Sequence, residues 1–224
     1  MDKALPDTTV VYYTSNKQPW DFEKRIQRRL LKTIGGLPLI SVSQKPMNLG
    51  DNICVGSVGA SSQNAYRQLL IGAAKATTRF IAIAEADCVY SPDYFFFQPP
   101  RDDTFYLAKP LYVLFAQRGK AKVFVNKPRG SESTMVANRQ LLMDRLEFIL
   151  KDIGEWGTLS ANGDGWPYLL ERNSTLRERF ITKYPSVTFK TDHQMHRRTP
   201  HDVNSKTREI PYWGTATNLI RRFT

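Results

Sequence analysis

An apolar run, Phe80-Ile81-Ala82-Ile83-Ala84, leads directly into Glu85-Ala86-Asp87, and apolar character resumes only at Cys88-Val89-Tyr90. A short continuous apolar run bounded by polar residues is the pattern of a strand buried on both faces. In an open α/β sheet, ligands bind outside the carboxyl ends of the strands, which is where these two acids stand. Alternate residues of an extended chain point to the same side, so Glu85 and Asp87 are expected to face one ligand together. Two carboxylates so placed repel each other unless a hard cation or a set of donors compensates them. A metal-bound diphosphate meets that need.

The chain has 224 residues, enough for one sizeable core but not for two full domains. Its 41% hydrophobic and 12% aromatic content excludes a disordered chain. The apolar stretches are strand-sized, far short of the roughly 20 residues of a membrane helix, and the opening residues 1–7 contain no apolar segment of the secretory kind. A soluble, cytoplasmic protein with no membrane partner is expected. Cys54 and Cys88 stand far apart without metal-type spacing, which argues for two thiols rather than a disulfide framework or a structural zinc site. The net charge of +11 points to a polyanionic partner. The charge is lopsided: residues 1–109 hold 13 basic and 10 acidic side chains, whereas residues 110–224 hold 19 and 11.

Residues 10–16 read as a first strand ending in Thr14-Ser15-Asn16, followed by a helix start at Pro19-Trp20-Asp21. Phe22, Ile26, Leu30 and Ile34 then recur every fourth position, a core-facing stripe opposite Lys24, Arg25, Arg28, Arg29 and Lys32. That basic face either is solvated or follows phosphates. Residues 37–43 read as a second strand and residues 46–59, with three glycines, as a long loop beside the cleft. Residues 61–76 form a helix feeding the acid-tipped strand. Downstream, strands are expected over 105–107, 112–116 and 122–125, and a helix beginning near Asn138. Residues 152–167 form a glycine-rich loop holding Glu155, Trp156, Asp164 and Trp166, and all three histidines, His193, His196 and His201, fall within nine positions.

One order of features resembles the GT-A nucleotide-sugar glycosyltransferases: a polar helix start, Arg67-Gln68, the face Ile71-Gly72-Ala73-Ala74, the turn Thr77-Thr78, and a strand ending in acid-x-acid. The resemblance is clear over about residues 8 to 97. The chain departs from the usual pattern in carrying Glu85 where an aspartate is commoner, which keeps the chemistry, and Arg-Gln where Arg-Asn is frequent. The fold so implied is α/β, a GT-A-like single domain with a mixed central sheet flanked by helices. Residues 1–109 would form its nucleotide-sugar and metal-binding half and residues 110–224 its acceptor-binding half.

The resemblance also implies a chemistry, the transfer of a sugar from a nucleotide donor, UDP-linked by expectation, with Mn²⁺ or Mg²⁺. Asp87 would ligate the cation, with His193 or His196 as a further ligand, while Glu85 would hold the ribose or a metal-bound water. Thr14, Ser15, Asn16, Arg67 and Gln68 would line the nucleoside pocket, and Arg197 and Arg198 would face the diphosphate. Asp164, or Glu155 in its place, would be the base that deprotonates the acceptor in an inverting reaction; a retaining reaction stays open. Charge is the guide to the acceptor, and by analogy with small basic enzymes acting on viral DNA bases it favours a hydroxymethylated pyrimidine in double-stranded DNA, in the host cytoplasm if the protein is viral. A glycan, lipid or protein acceptor, a nucleotidyltransferase, and a nucleic-acid-binding module without catalysis are the competing readings.

Overall fold

Four parallel strands carry the acid pair: β1 (Thr8–Thr14), β2 (Leu39–Ser43), β3 (Asp51–Cys54) and β4 (Phe80–Glu85), in the spatial order β3-β2-β1-β4. The structure is a computed structural model that describes residues 5–119, 122–151, 176–193 and 205–224. Helix α1 (Trp20–Ile34) links β1 to β2, and α2 (Ser62–Lys75) links β3 to β4. The stripe Phe22, Ile26, Leu30 and Ile34 is buried. Leu30 and Ile34 pack with Val10 and Tyr12 on one face of β1, whereas α2 packs its Leu69 and Ala73 with Val11 and Val42 on the other. The chain therefore leaves β1 toward opposite sides, and the sheet has a topological switch between β1 and β4. Such a switch opens a crevice at the carboxyl ends of the strands.

The rest of the sheet is mixed. Strand β5 (Cys88–Val89) follows the acids, and β6 (Thr104–Phe115) and β7 (Phe124–Asn126) are antiparallel neighbours. Strand β8 (Met135–Asn138) lies antiparallel between β4 and β6, and leads into α3 (Arg139–Leu150), which packs beside α2. Strand β9 (Leu176–Lys190) runs parallel to β6 and pairs antiparallel with β5 at its far end. The short β10 (Lys206–Thr207) closes the edge at β7, and the hairpin β11 (Glu209–Ile210) with β12 (Gly214–Thr215) leads into α4 (Ala216–Phe223) against α1. The fold is thus one domain with a mixed central sheet flanked by helices on both faces. Among the described residues, no helix is long and apolar enough to cross a membrane.

Of the strands that depart from the sequence reading, two show the physical reason. Residues 105–107 and 112–116 belong to a single strand, β6, which runs through Lys109-Pro110. Proline has no N–H to give a ladder and is confined to edges and bulges. Here the register shifts between Lys109 and Leu111, where residues 182–185 of β9 bulge out opposite Pro110. The bulge is held by Thr182 Oγ1, which donates to Lys109 O at 3.0 Å, and by Trp213 Nε1, which donates to Pro185 O at 2.6 Å. The second case is β3, a polar edge strand inside the segment read as loop; Asp51-Asn52 has no apolar alternation to betray it.

Gly72 sets the approach of α2 to the sheet. A Cβ there would lie 2.4 Å from Val11 Cγ1 and 3.4 Å from Val42 Cγ2, and Val11 is fully buried with a stiff side chain. The helix-propensity gain of alanine, about 1 kcal/mol, is opposed by overpacking. We expect Gly72→Ala to lose roughly 1–3 kcal/mol in urea unfolding; a variant as stable as the parent would mean that α2 slides outward at no cost.

Candidate active site

Strand β4 is buried from Phe80 to Ala84 and emerges only at Glu85. Ile81 and Ile83 lie on the α2 face, and Glu85, two residues further, continues that face. Its partner in register is Tyr13 of β1, whose hydroxyl donates to Glu85 Oε1 at 2.5 Å. Burial, with the Glu85 charge beside it, pushes the Tyr13 phenol well above its ordinary value, which keeps it a neutral donor. The strand then ends: Ala86 and Asp87 form a turn and β5 begins at Cys88. Strict alternation therefore does not bring the acids together; the turn does. One ligand atom each of Glu85, Asp87 and Cys88 lies within 4.8 Å of the others.

The turn is pinned from three sides. Phe189 N of β9 donates to Asp87 O at 2.8 Å. Glu85 N donates to Tyr90 Oη at 2.8 Å, and Tyr90 in turn donates to Ser133 O at 3.0 Å. Tyr94 Oη lies 3.0 Å from Ile83 O and 2.8 Å from Met135 O. Strand β8 pairs with β4 only over Phe80–Ala82, so these two hydroxyls bridge the strands where they part. Tyr90 and Tyr94 are stacked at 4.9 Å and, with Phe95, are buried. These three rings are core, whereas the neighbouring Phe96 is exposed.

Around the crevice, each strand end is tied to the next. Asn16, left-handed at φ 53°, accepts from Gln44 N and Lys45 N at 2.9 Å each through Oδ1, joining the ends of β1 and β2. Thr14 is buried, and its Oγ1 accepts from Asn16 N at 2.9 Å. Ser15 is half-buried beside it. Gln68, also buried, donates to Thr14 O at 2.9 Å and to Val42 O at 3.0 Å, so it braces the strand ends from beneath. Arg67 is buried and reaches Asn64 Oδ1 at 3.4 Å; Asn64 in turn holds the glycine loop through Val58 O and Gly59 O.

His193 follows the end of β9 and is exposed; its N–H donates to Thr191 Oγ1 at 3.2 Å, and it is not part of the acid cluster. Asp164, Glu155, His196, Arg197 and Arg198, with Trp156, Trp166 and His201, lie outside the described residues.

Sequence reasoning missed several residues here. Glu132, in the turn before β8, accepts from Tyr66 Oη at 3.0 Å, and its charge acts on Tyr13. Glu23, in the first turn of α1, is buried and accepts from Tyr12 Oη at 2.9 Å. Tyr12 and Tyr13 point to opposite faces and meet Glu23 and Glu85, whereas Glu132 is reached from Tyr66 of α2.

The donor set suits a hard divalent cation. Two carboxylates supply oxygen ligands, and burial pushes the Cys88 thiol well above its usual range, so it stays protonated beside them.

No protein-family model matches the chain, and no curated protein matches it. Among solved structures it is similar to a glycosyltransferase involved in the glycosylation of the major capsid of PBCV-1, at 9% identity and a TM-score of 0.44 over 79% of this chain and 82% of that one. It is also similar to S. aureus TarS 1-349, at 10% identity and a TM-score of 0.46, covering 82% of this chain and 60% of that one. The inositol-1-phosphate CTP transferase from T. maritima matches at 12% identity and a TM-score of 0.44, over 90% and 93%. At such scores the likeness is loose.

Glu23 gives the site a pH-dependent support. Burial holds its carboxyl above the ordinary value of 4.5, against hydrogen bonds from Tyr12, Thr14 and Gln27 that pull it down. A raised native value means the proton is bound more tightly in the folded chain, so this contribution is full below the unfolded value and is lost as pH rises through the folded one. Glu23→Gln carries no such dependence. Its melting temperature relative to the parent should rise between about pH 4 and about pH 7; a difference that stays flat or falls would show that Glu23 is as well solvated folded as unfolded.

Proposed function

We propose that this chain is a metal-dependent, GT-A-type glycosyltransferase that moves a sugar from a UDP-linked donor to a hydroxymethylated pyrimidine in double-stranded DNA. The observation that carries the reading is the acid pair: two carboxylates within 4.8 Å at the carboxyl end of β4, beside the β1/β4 switch. Asp87 would hold Mn²⁺ or Mg²⁺. Glu85, with one oxygen taken by Tyr13, keeps its other oxygen for the ribose or a water on the cation. When bound, the cation supplies charge that offsets the diphosphate as it leaves.

The acceptor oxygen would attack the anomeric carbon of the sugar as the bond to the diphosphate oxygen breaks, with the acceptor proton passing to Asp164. Tyr13 serves as a positioning residue, fixing the Glu85 carboxylate without taking up the cation. The net charge of +11 favours a polyanionic acceptor over a neutral glycan.

Asp87→Asn is expected to abolish cation-dependent donor binding in calorimetry with a matched nucleotide sugar. Undiminished binding by this variant in chelator would overturn the metal assignment. Asp164→Asn should leave donor binding intact and cut turnover by about 10² or more, the scale of general-base loss. Near-normal turnover would move the base to Glu155. Mass spectrometry of nucleosides from hydroxymethylated DNA, incubated with donor and Mn²⁺, reads the acceptor: an added hexose or pentose mass supports the reading. Sugar transfer to a glycan or peptide alone would remove DNA as the acceptor.

A further inference from the structure

We propose that the outer face of α1, continued by the end of α4, is a docking surface for a nucleic-acid strand, with Trp20 as the platform on which one base stacks. A concavity of about 500 Å³ lies on this face, lined by Trp20, Asp21, Lys24, Gln27, Arg28 and Asn48 among others. Trp20 is 66% exposed, although it is among the largest apolar side chains, and Lys24 Nζ sits 4.4 Å from its ring centroid. Arg25 also lines the concavity, and its Nη1 donates to Arg222 O at 3.3 Å, which joins the last turn of α4 to the surface. Arg221 and Arg222 are exposed there.

Among the described residues, no ion pair joins a cation of this face to an acid. Ion pairs between described residues join Lys75 to Asp51, Arg79 to Asp102 and Arg101 to Asp103. None involves Lys24, Arg25, Arg28, Arg221 or Arg222. Among the described residues, Asp21 is the one acid lining the concavity. Arg29 stands apart, turned onto Tyr212 and Trp213 and hydrogen-bonded to the Tyr212 hydroxyl.

A basic groove with an exposed aromatic ring is the arrangement by which single strands are held: cations follow the phosphates and a ring stacks a base. A lipid surface would instead need a broad apolar face. Here Trp20 and Leu31 are the exposed apolar residues, separated by the polar lining of the hollow. Position adds to the case, because α1 begins just beyond the carboxyl end of β1, so Trp20 lies at the edge of the sheet that carries Glu85 and Asp87. The surface rests on the acceptor reading above only for where the strand leads. The sequence reading placed the acceptor on the basic second half; this surface instead pairs the first helix with the last.

The experiment is fluorescence anisotropy with labelled single-stranded and duplex 20-mers, in chelator and without donor, so that the acid pair takes no part. The parent should bind, the single strand through stacking as well as charge. Trp20→Ala should weaken single-strand binding roughly tenfold. Lys24→Ala with Arg28→Ala should flatten the plot of log K against log salt by about 1.4 on the single strand. Melting curves confirm that these surface variants fold. Parental affinity and salt slope in both variants would overturn the proposal. So would an absence of DNA binding by the parent, or loss of binding to phosphatidylserine vesicles in the variants while DNA binding persists. Cation-dependent donor binding is scored separately on the same proteins, so the failure of either reading is seen without the other.

Discussion

Repulsion between Glu85 and Asp87 is the constraint around which the carboxyl edge of this sheet is organised. With ligand atoms no more than 4.8 Å apart, two unit charges repel by on the order of 3 kcal/mol or more at an effective dielectric constant of about 20. The turn that imposes this approach would open if it were free to do so. It is clamped instead by β9 through Asp87 O, and by Tyr90 through the amide of Glu85. Tyr13 offsets part of the Glu85 charge, and the neighbouring Glu132 adds more of the same sign. On the proposed reading, a fold that holds acids together in this way would be prepared for a cation before one arrives.

The tyrosines answer a backbone question. Strands β4 and β8 pair for three residues and then diverge toward the crevice, which would strand buried carbonyls and amides without partners. Buried main-chain groups left in that state cost about as much as a lost hydrogen bond. The hydroxyls of Tyr94 and Tyr90 bridge Ile83 to Met135 and Glu85 to Ser133 in place of the missing ladder. The gap between strands is thereby closed with aromatic core, and the acid turn is joined to the antiparallel half of the sheet.

Charge is separated in space as well as in sequence. The crevice gathers carboxylates at the ends of β1 and β4, and the flank made by α1 and α4 gathers arginines and lysine around Trp20. On the proposed reading, a polyanion drawn to the flank would be repelled from the bare acid pair and accepted only where a cation reversed the local sign. The same separation keeps a strong basic field from collapsing onto the acids, since α1 turns its apolar stripe, with Glu23 buried beside it, toward the sheet.

From sequence alone, the parallel core was legible. The Phe80–Ala84 run, the four-residue spacing along α1 and the polar start of the helix over 61–76 are local patterns that dictate the element, and all three stand as read. So does the class of fold, because a strand buried on both faces requires helices on both sides. Tertiary structure decided what depends on pairing across the chain. Strand β3 exists because an edge hydrogen-bonds to β2 despite its polar side chains, and β6 runs through Pro110 because β9 supplies a bulge opposite it. Tyr13 meets Glu85 through strand register, and Glu23 and Glu132 are placed by helix packing, which brings together residues 11 to 72 positions apart. Glu85 and Asp87 were legible as a pair, yet the turn that joins them was not: alternation predicts a shared face, whereas contacts from β9 and Tyr90 made that proximity real. Local period is written in neighbouring residues; register is written in the packing of distant ones.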